Sequence, residues 1–600
     1  MNLTIETAKG QQVLAVAGPE CALRLSDLLR RKHFPLNTRC GQRGLCDGCV
    51  VELLDGNLTN MATGETVTGT GQAVRGCEYR LAHDGPVTVR IPPRSLLAYE
   101  PQVVSEFKTN VPRAHDPLWQ QVAIPADGLA GIQRRRPVKV GKLCEGLPTP
   151  HNVATEAAWS GDLRRAVEGS FATLEYRDDH WLVTGVVAEP DRQPLGVAVD
   201  IGTTTVALLV CDLRDGRVLA GAANFNRQMH LGDDVLTRIN LCFNDPSQLR
   251  HLQDLIVEET LKPLLTEALG KAGATLAQVR CMTVAANTTM LHLFAGVDPS
   301  SMGIAPFTAT FLEHRLVTIP GWPFTIHLLP GAAAYVGADL TAGAFATGLV
   351  YDEGPALLVD VGTNGEIILK RGNNLSGCAT AAGPAFEGAG MTNGVRATAG
   401  AIAHIKLKRK PFAVVIEKIG QGMPIGLCGT AYVDFLAEGR ATGFLNERGR
   451  VNEAFTDQTI PWKDYGRALR VATGSGKTDI VVTETDIAGL LQAKAAIAAG
   501  ILTLLERSGL TPAQIKKLYL AGGFGLHLNR TNAIACGLLP GFVPEQIEVV
   551  GNTSLAGAYL ALLDCGALDE IARAGKKMDV VELNLDAGFE DRYIEQLSLP

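Results

Sequence analysis

The chain has 600 residues, which at roughly 100–200 residues per domain allows several domains and a large core. Hydrophobic residues are 46% and charged residues 20%, which excludes a largely disordered chain, and a formal charge of −7 is too weak at this length for a broad nucleic-acid or anionic-membrane surface. The opening MNLTIETAKGQQVLAVAG lacks the basic and apolar segments of a signal peptide, and no run of about 18 apolar residues is free of charge, so no membrane span is predicted. Thirteen cysteines, a low and odd count, fit a reducing cytoplasm in which clustered thiols hold metal.

Residues 1–92 carry short alternating strands, Val13–Val16 and Val87–Ile91, and the run RCGQRGLCDGC. Cys40, Cys46 and Cys49 stand in a C-x5-C-x2-C spacing, and Cys77 follows in RGCEY. Three thiolates from one wrapping loop and a fourth from a distant strand are what a 2Fe–2S cluster requires. Gly41, Gly44 and Gly48 allow positive φ and bring backbone N–H groups toward the sulfides. Zinc usually asks for two short-spaced pairs, and only Cys46 and Cys49 form one here. Cys21, Cys144, Cys211, Cys242, Cys281, Cys378, Cys428, Cys536 and Cys565 are scattered and read as small buried hydrophobes. Charge over this segment is nearly balanced and names no electron donor.

Pro92-Pro93 opens an irregular polar stretch, residues 93–117, read as a linker. Residues 118–194 read as a small α+β middle domain with strands Phe171–Tyr176 and Trp181–Val187, and Arg134-Arg135-Arg136 as a solvated turn. From Leu195 to Pro600, glycine, alanine and threonine rise and buried-type strands alternate with helices. The clearest helix spans Asp486 to about Arg507, with Ile487, Leu490, Leu491, Lys494, Ile497, Ile501 and Leu504 at three- and four-residue spacing and Thr483 with Asp486 as a capping box.

One internal repeat organises this half. Val197–Asp200, Gly202-Thr203 and Val206–Val210 read as strand, tight turn, strand. The pattern returns 160 residues later as Leu357–Asp360, Gly362-Thr363 and Glu366–Leu369, so two related lobes, about 195–353 and 354–600, are expected to face each other across a cleft. VDIGTTT and VDVGTNGE each end an apolar strand on an aspartate followed by a Gly-Thr turn. Such turns present amides and hydroxyls to phosphate oxygens: Gly202, Thr203, Thr204 and Thr205 in one, Gly362, Thr363 and Asn364 in the other. Asp200 and Asp360 are placed to hold Mg²⁺ or orient an attacking water. Gly522, Gly523 and Phe524, in LAGGFG, are suited to an adenosine lying against the backbone. Glu366 and Glu387 lie in the same segments, with a catalytic or a structural role equally open. Gly474-Ser475-Gly476-Lys477-Thr478 mimics a Walker A tail, but Val471 stands where that motif needs glycine, and a surface turn is expected.

The order of these loops resembles the acetate and sugar kinase/Hsp70/actin superfamily, and the cysteine spacing resembles adrenodoxin-like ferredoxins. Together, across nearly the whole chain, they resemble the reductive activators of corrinoid proteins; TAAGPAFEGAG, GLCGTAYVD, ANTTM and AGGFG also fit that family. The resemblance implies a β-grasp 2Fe–2S ferredoxin-like domain, a linker, a middle domain and a two-lobed actin-like ATPase with a duplicated ribonuclease H-like core. It implies an ATP-hydrolysing activase, with 2Fe–2S, ATP and Mg as cofactors. Its job would be to pass one electron from a low-potential donor to the Co(II) of a corrinoid protein in a methyltransferase system. A homodimer in the cytoplasm, with no nucleic acid or membrane partner, completes the expectation. Plant-type 2Fe–2S centres sit at roughly −400 mV, and the resemblance implies that Co(II) is harder to reduce than that, hence the nucleotide. A small-molecule kinase, an activator of another metalloenzyme and a non-enzymatic carrier remain as alternatives.

Overall fold

The computed structural model describes the chain apart from residues 8–9, 33, 35, 37, 39–41, 43, 45–47, 83–84, 93–94, 96–106, 108, 112–114, 125–152, 156–166, 168, 178–179, 233, 363, 389, 463–465, 475–478 and 523–526. Near the N-terminus, strands Gly10–Ala15, Asn2–Thr7, Val87–Arg90, Val50–Asp55 and Gln72–Arg75 lie side by side in that order. The Asn2–Thr7 and Val87–Arg90 strands run parallel and the other pairs antiparallel. Alternation turns Leu3 and Ile5 to one face, where they meet Leu25, Leu28 and Leu29 of the helix Leu25–Arg31.

Strands Val153–Thr155, His180–Val187, Phe171–Arg177 and Trp119–Ala123 form a second sheet. Its buried Trp181, Tyr176 and Leu174 belong to one continuous core with the sheet that follows. The Arg134-Arg135-Arg136 turn lies outside the described residues, as does much of the 93–117 linker. The described part of that linker is laid along the C-terminal half: Phe107 bridges to Gly551, Asn110 donates to the Thr347 carbonyl at 3.2 Å, and the Asp116 N–H donates to the Leu563 carbonyl at 2.9 Å.

The repeat becomes two sheets of the same topology. In chain order, strands Leu195–Ile201, Thr205–Asp212, Val218–Phe225, Val279–Ala286 and Thr325–Leu328 are arranged 3-2-1-4-5, with Arg315–Val317 at one edge. Strands Ala356–Val361, Gly365–Arg371, Asn374–Thr380, Lys517–Ala521 and Ile547–Gly551 repeat the order, with Met578–Val580 at the opposite edge. In each, the first strand pairs antiparallel with the second and parallel with the fourth, so its C-terminal end opens onto a turn flanked by a parallel crossover. This is the two-lobed architecture expected of the region.

The lobes are not consecutive pieces of chain. Helix Thr553–Leu563, from the far end of the sequence, packs on strands Leu195–Ile201 and Val279–Ala286 and buries Leu555, Leu560 and Leu562 in the first lobe's core. It crosses helix Ala338–Ala346 at Gly557, where a Cβ would stand 2.5 Å from the Ala342 Cβ. Only glycine permits that approach.

Helix Glu484–Arg507 starts two residues earlier than its apolar rhythm, because Thr483 is its cap: its Oγ1 accepts from the Asp486 N–H, and Asp486 accepts from the Thr483 N–H, both at 3.0 Å. It is long and apolar enough to cross a membrane by length and composition, yet it is a core helix of the second lobe, 78% buried over its most apolar window. The strands on either side of the Walker-like segment, Arg467–Thr473 and Asp479–Thr483, pair antiparallel, so no helix follows it; residues 475–478 themselves lie outside the described residues.

Candidate functional site

Asp200 stands one residue from the end of its strand, opposite Ala207 on one side and Ala285 on the other. The following turn closes with the Gly202 N–H donating to the Thr205 carbonyl at 2.9 Å, and a Cβ on Gly202 would lie 2.6 Å from that oxygen. Thr203 and Thr204 are buried beside it. Asp360 holds the equivalent place in the second sheet, opposite Glu366 and Ala521. There the Gly362 N–H donates to the Asn364 carbonyl at 2.9 Å. Gly522 follows the fourth strand with φ of 92°, and a Cβ there would meet the Val361 carbonyl at 2.5 Å. Both the backbone angle and the space therefore demand glycine. Thr363, Gly523 and Phe524 lie outside the described residues.

These turns line one cavity of ≈ 270 Å³ between the lobes, with Asp200, Gly202, Thr203, Thr204 and Thr205 on one wall and Asp360, Gly362, Asn364 and Gly522 on the other. Residues to which the sequence assigned no role join them: Asp339, Asn287, Arg396, Thr430, Asn552 and Ser554, together with Glu366 and Glu387. Arg396 spans the cleft from the second lobe, its guanidinium 4.4 Å from the Phe225 ring centre.

Two asparagines show how the site is braced. Asn287 caps helix Thr288–Ala295 through Oδ1, which accepts from the Met290 N–H at 2.9 Å, and donates Nδ2–H to the Thr203 hydroxyl at 3.0 Å. Asn552 caps helix Thr553–Leu563 the same way and donates Nδ2–H to Asp200 at 2.8 Å, while the Ser554 hydroxyl donates to the other Asp200 oxygen at 2.7 Å. The signal was the pattern Asn-Thr-Thr or Asn-Thr-Ser after an apolar strand, which marks a helix cap and leaves the amide N–H free to point elsewhere.

The cleft gathers carboxylates faster than it supplies partners. Burial, then the charges of Asp339 and Asp200, push Asp360 up to about 7. Burial, then the Asp200 charge, carry Asp339 to about 7. Burial and the Asp339 and Asp360 charges raise Glu366 well above the carboxylate range, and burial raises Asp200 against the bonds from Asn552 and Ser554. Among the described residues no three acid, histidine or cysteine side chains form a ready-made metal cage. Mg²⁺ suits such a place when it shares its shell with phosphate oxygens and water.

Carboxyls that hold their proton more tightly folded than unfolded contribute stability below their ordinary value, 3.8, that is lost as pH rises through about 7. Each pH unit of that shift costs about 1.4 kcal/mol. Asp339→Asn is therefore expected to raise the melting temperature of the metal-free protein at alkaline pH and to change it little near pH 4. Comparing variant with wild type cancels the opposing influence of His230, which burial pushes down to about 3. A gain that did not depend on pH would contradict the assignment.

At the N-terminal end, Cys49 and Cys77 are both buried, and the Gly76 N–H donates to the Cys49 carbonyl at 2.9 Å. Register places Val50 opposite Arg75, so the two cysteines flank adjacent ends of paired strands. Between helix and strand, Gln42 and Gly44 take φ of 63° and 72°, the left-handed turns a wrapping loop needs. Cys40 and Cys46 lie outside the described residues.

Residues 354–600 match the family model described as the C-terminal domain of RACo, the ASKHA domain, and residues 195–352 the one described as the RACo middle region. The chain is 28% identical over 603 residues, 95% of each protein, to the corrinoid activation enzyme RamQ of Eubacterium limosum. It is 23% identical over 445 residues, 67% of this chain and 76% of the other, to the Co(II) methylated amine-specific corrinoid protein reductase of Methanosarcina barkeri. A solved structure described as a reductive activator for corrinoid, iron-sulfur protein superimposes with a TM-score of 0.73 at 28% identity, covering 100% of this chain and 98% of that one. With the cleft, the duplicated sheets and this similarity from end to end, the chain belongs to the family of reductive activators of corrinoid proteins.

Proposed function

We propose that this protein is an ATP-dependent reductive activator that returns the Co(II) of a corrinoid methyl-transfer protein to Co(I), using one electron from a low-potential donor. The observation that carries the reading is a cleft with one strand-end aspartate from each lobe, on a chain similar over its whole length to corrinoid activators. ATP would lie between the turns, its phosphates against Gly202, Thr203, Thr204 and Thr205 and against Gly362, Thr363 and Asn364, its adenosine against Gly522, Gly523 and Phe524. Asp200 is held in place by hydrogen bonds from Asn552 and Ser554. Asp339 and Asp360 line the cleft with proton affinity raised by burial and neighbouring charge, and one of them would orient the attacking water. Mg²⁺ would neutralise phosphate charge beside Asp200 and Asp360.

In the N-terminal 1–92 domain, Cys40, Cys46, Cys49 and Cys77 would hold a 2Fe–2S cluster. The buried Cys49 and Cys77 at neighbouring strand ends, with left-handed turns in the loop between helix and strand, fit such a group. Bound there, it supplies a one-electron relay. The parallel central pair of strands with a helix across one face supports a β-grasp ferredoxin reading. The remaining divisions are the 93–117 linker, the 118–194 middle domain and the 195–600 ATPase; a cytoplasmic homodimer is part of the proposal.

The test is anaerobic mixing of the purified protein, ATP and a low-potential reductant with a corrinoid protein in its Co(II) state. The Co(II) absorption is expected to give way to that of Co(I); an unchanged spectrum would sink the reading.

A further inference from the structure

The first phosphate turn is held from behind by a buried polar network. Asn226, Gln228 and Arg238 are almost completely buried, and none of them lines the cavity. Arg238, on helix Val235–Asn244, donates Nη2–H to the Thr203 carbonyl at 2.5 Å, Nη1–H to Gln228 Oε1 at 2.9 Å and Nε–H to the Gly232 carbonyl at 3.0 Å. Asn226 donates Nδ2–H to the Gly202 carbonyl at 3.0 Å and its backbone N–H to the Thr204 carbonyl at 2.9 Å. Gln228 is itself anchored, donating Nε2–H to the Leu252 carbonyl at 2.9 Å.

Three consecutive carbonyls, those of Gly202, Thr203 and Thr204, are thus drawn to the side away from the cleft. In a planar trans peptide the N–H points opposite to its C=O. Fixing these carbonyls outward therefore fixes the N–H groups of Thr203 and Thr204 toward the cavity that their side chains line. Arg238 is completely buried behind the turn, so its forked donors are held to these protein acceptors and not to water.

We propose that Arg238, acting with Asn226, is a positioning residue for the nucleotide's phosphates: it does not touch them but holds the first turn with its donors facing them. The proposal rests on ATP binding in this cleft. It concerns phosphate only, so adenosine, which lacks phosphate, is the internal control.

Titration calorimetry of full-length Arg238→Met with MgATP and with adenosine tests it. Affinity for MgATP is expected to fall about tenfold or more, the scale of losing hydrogen bonds from a charged donor, while adenosine binds as to wild type. Arg238→Lys, which keeps the buried charge but not the forked donor, is expected to recover part of the loss and serves as the deciding variant if Arg238→Met does not fold. Wild-type MgATP affinity in either variant would overturn the proposal, as would equal losses for MgATP and adenosine, which indicate general damage. A wild-type protein that fails to bind MgATP would instead contradict the proposed function, so the two failures are distinct.

Discussion

Asp360→Asn is expected to lower ATP hydrolysis by about two orders of magnitude or more while making the nucleotide-free protein more stable. Asp360 sits at the strand end facing the cavity, and its proton affinity is raised by burial and by the charges of Asp339 and Asp200. Removing its charge relieves that repulsion, so the melting temperature should rise even as turnover falls, the usual exchange between stability and activity at a charged site. Asp200→Ala should behave differently. Asp200 accepts from Asn552 and Ser554, and alanine leaves both of those donors without their acceptor. That variant is expected to lose both hydrolysis and stability. Phosphate release and thermal melting, measured side by side, separate the two; retained turnover in Asp360→Asn would remove it from the chemistry.

The second large effect lies at the other end of the chain. Cys77→Ser is expected to abolish the visible absorption and EPR signal of the proposed 2Fe–2S cluster, and with them cobalt reduction, while ATP hydrolysis in the absence of a corrinoid protein persists. Serine fits the space of a thiol that is only 3% exposed, so the fold should survive. The same holds for Cys49, whose carbonyl still receives the Gly76 N–H. The cysteines and the cleft belong to separate hydrophobic cores, which is why one activity can be lost without the other. A Cys77→Ser protein that kept a full cluster would remove Cys77 from the ligand set.

What the sequence made legible was local or repeated. The paired Asp-x-Gly-Thr turns stand out because each interrupts an apolar strand at a matched position, and the structure sets them in sheets of identical order. Helix Glu484–Arg507 shows its period and its cap. Lys494, read within that apolar rhythm, is indeed buried: it donates Nζ–H to the Ser598 carbonyl at 2.8 Å, and burial pushes it down to about 8. What stayed hidden arrives from far along the chain. Asn552 and Ser554 reach Asp200 across 352 and 354 residues of sequence, far outside the window of roughly 11–18 residues over which periodicity is read. Asp339 enters on a helix that crosses between the lobes, and Arg238 looks in sequence like any surface arginine on a helix. Burial of such a charge depends on packing that no window of neighbours encodes.

The central claim is that nucleotide turnover in the cleft is required for reduction of cobalt. Stopped-flow spectroscopy of Co(I) formation, with donor and corrinoid protein held constant and ATP present or omitted, tests it most directly. Co(I) is expected to accumulate with ATP and to remain scarce without it. Equal rate and extent in both mixtures would contradict the claim.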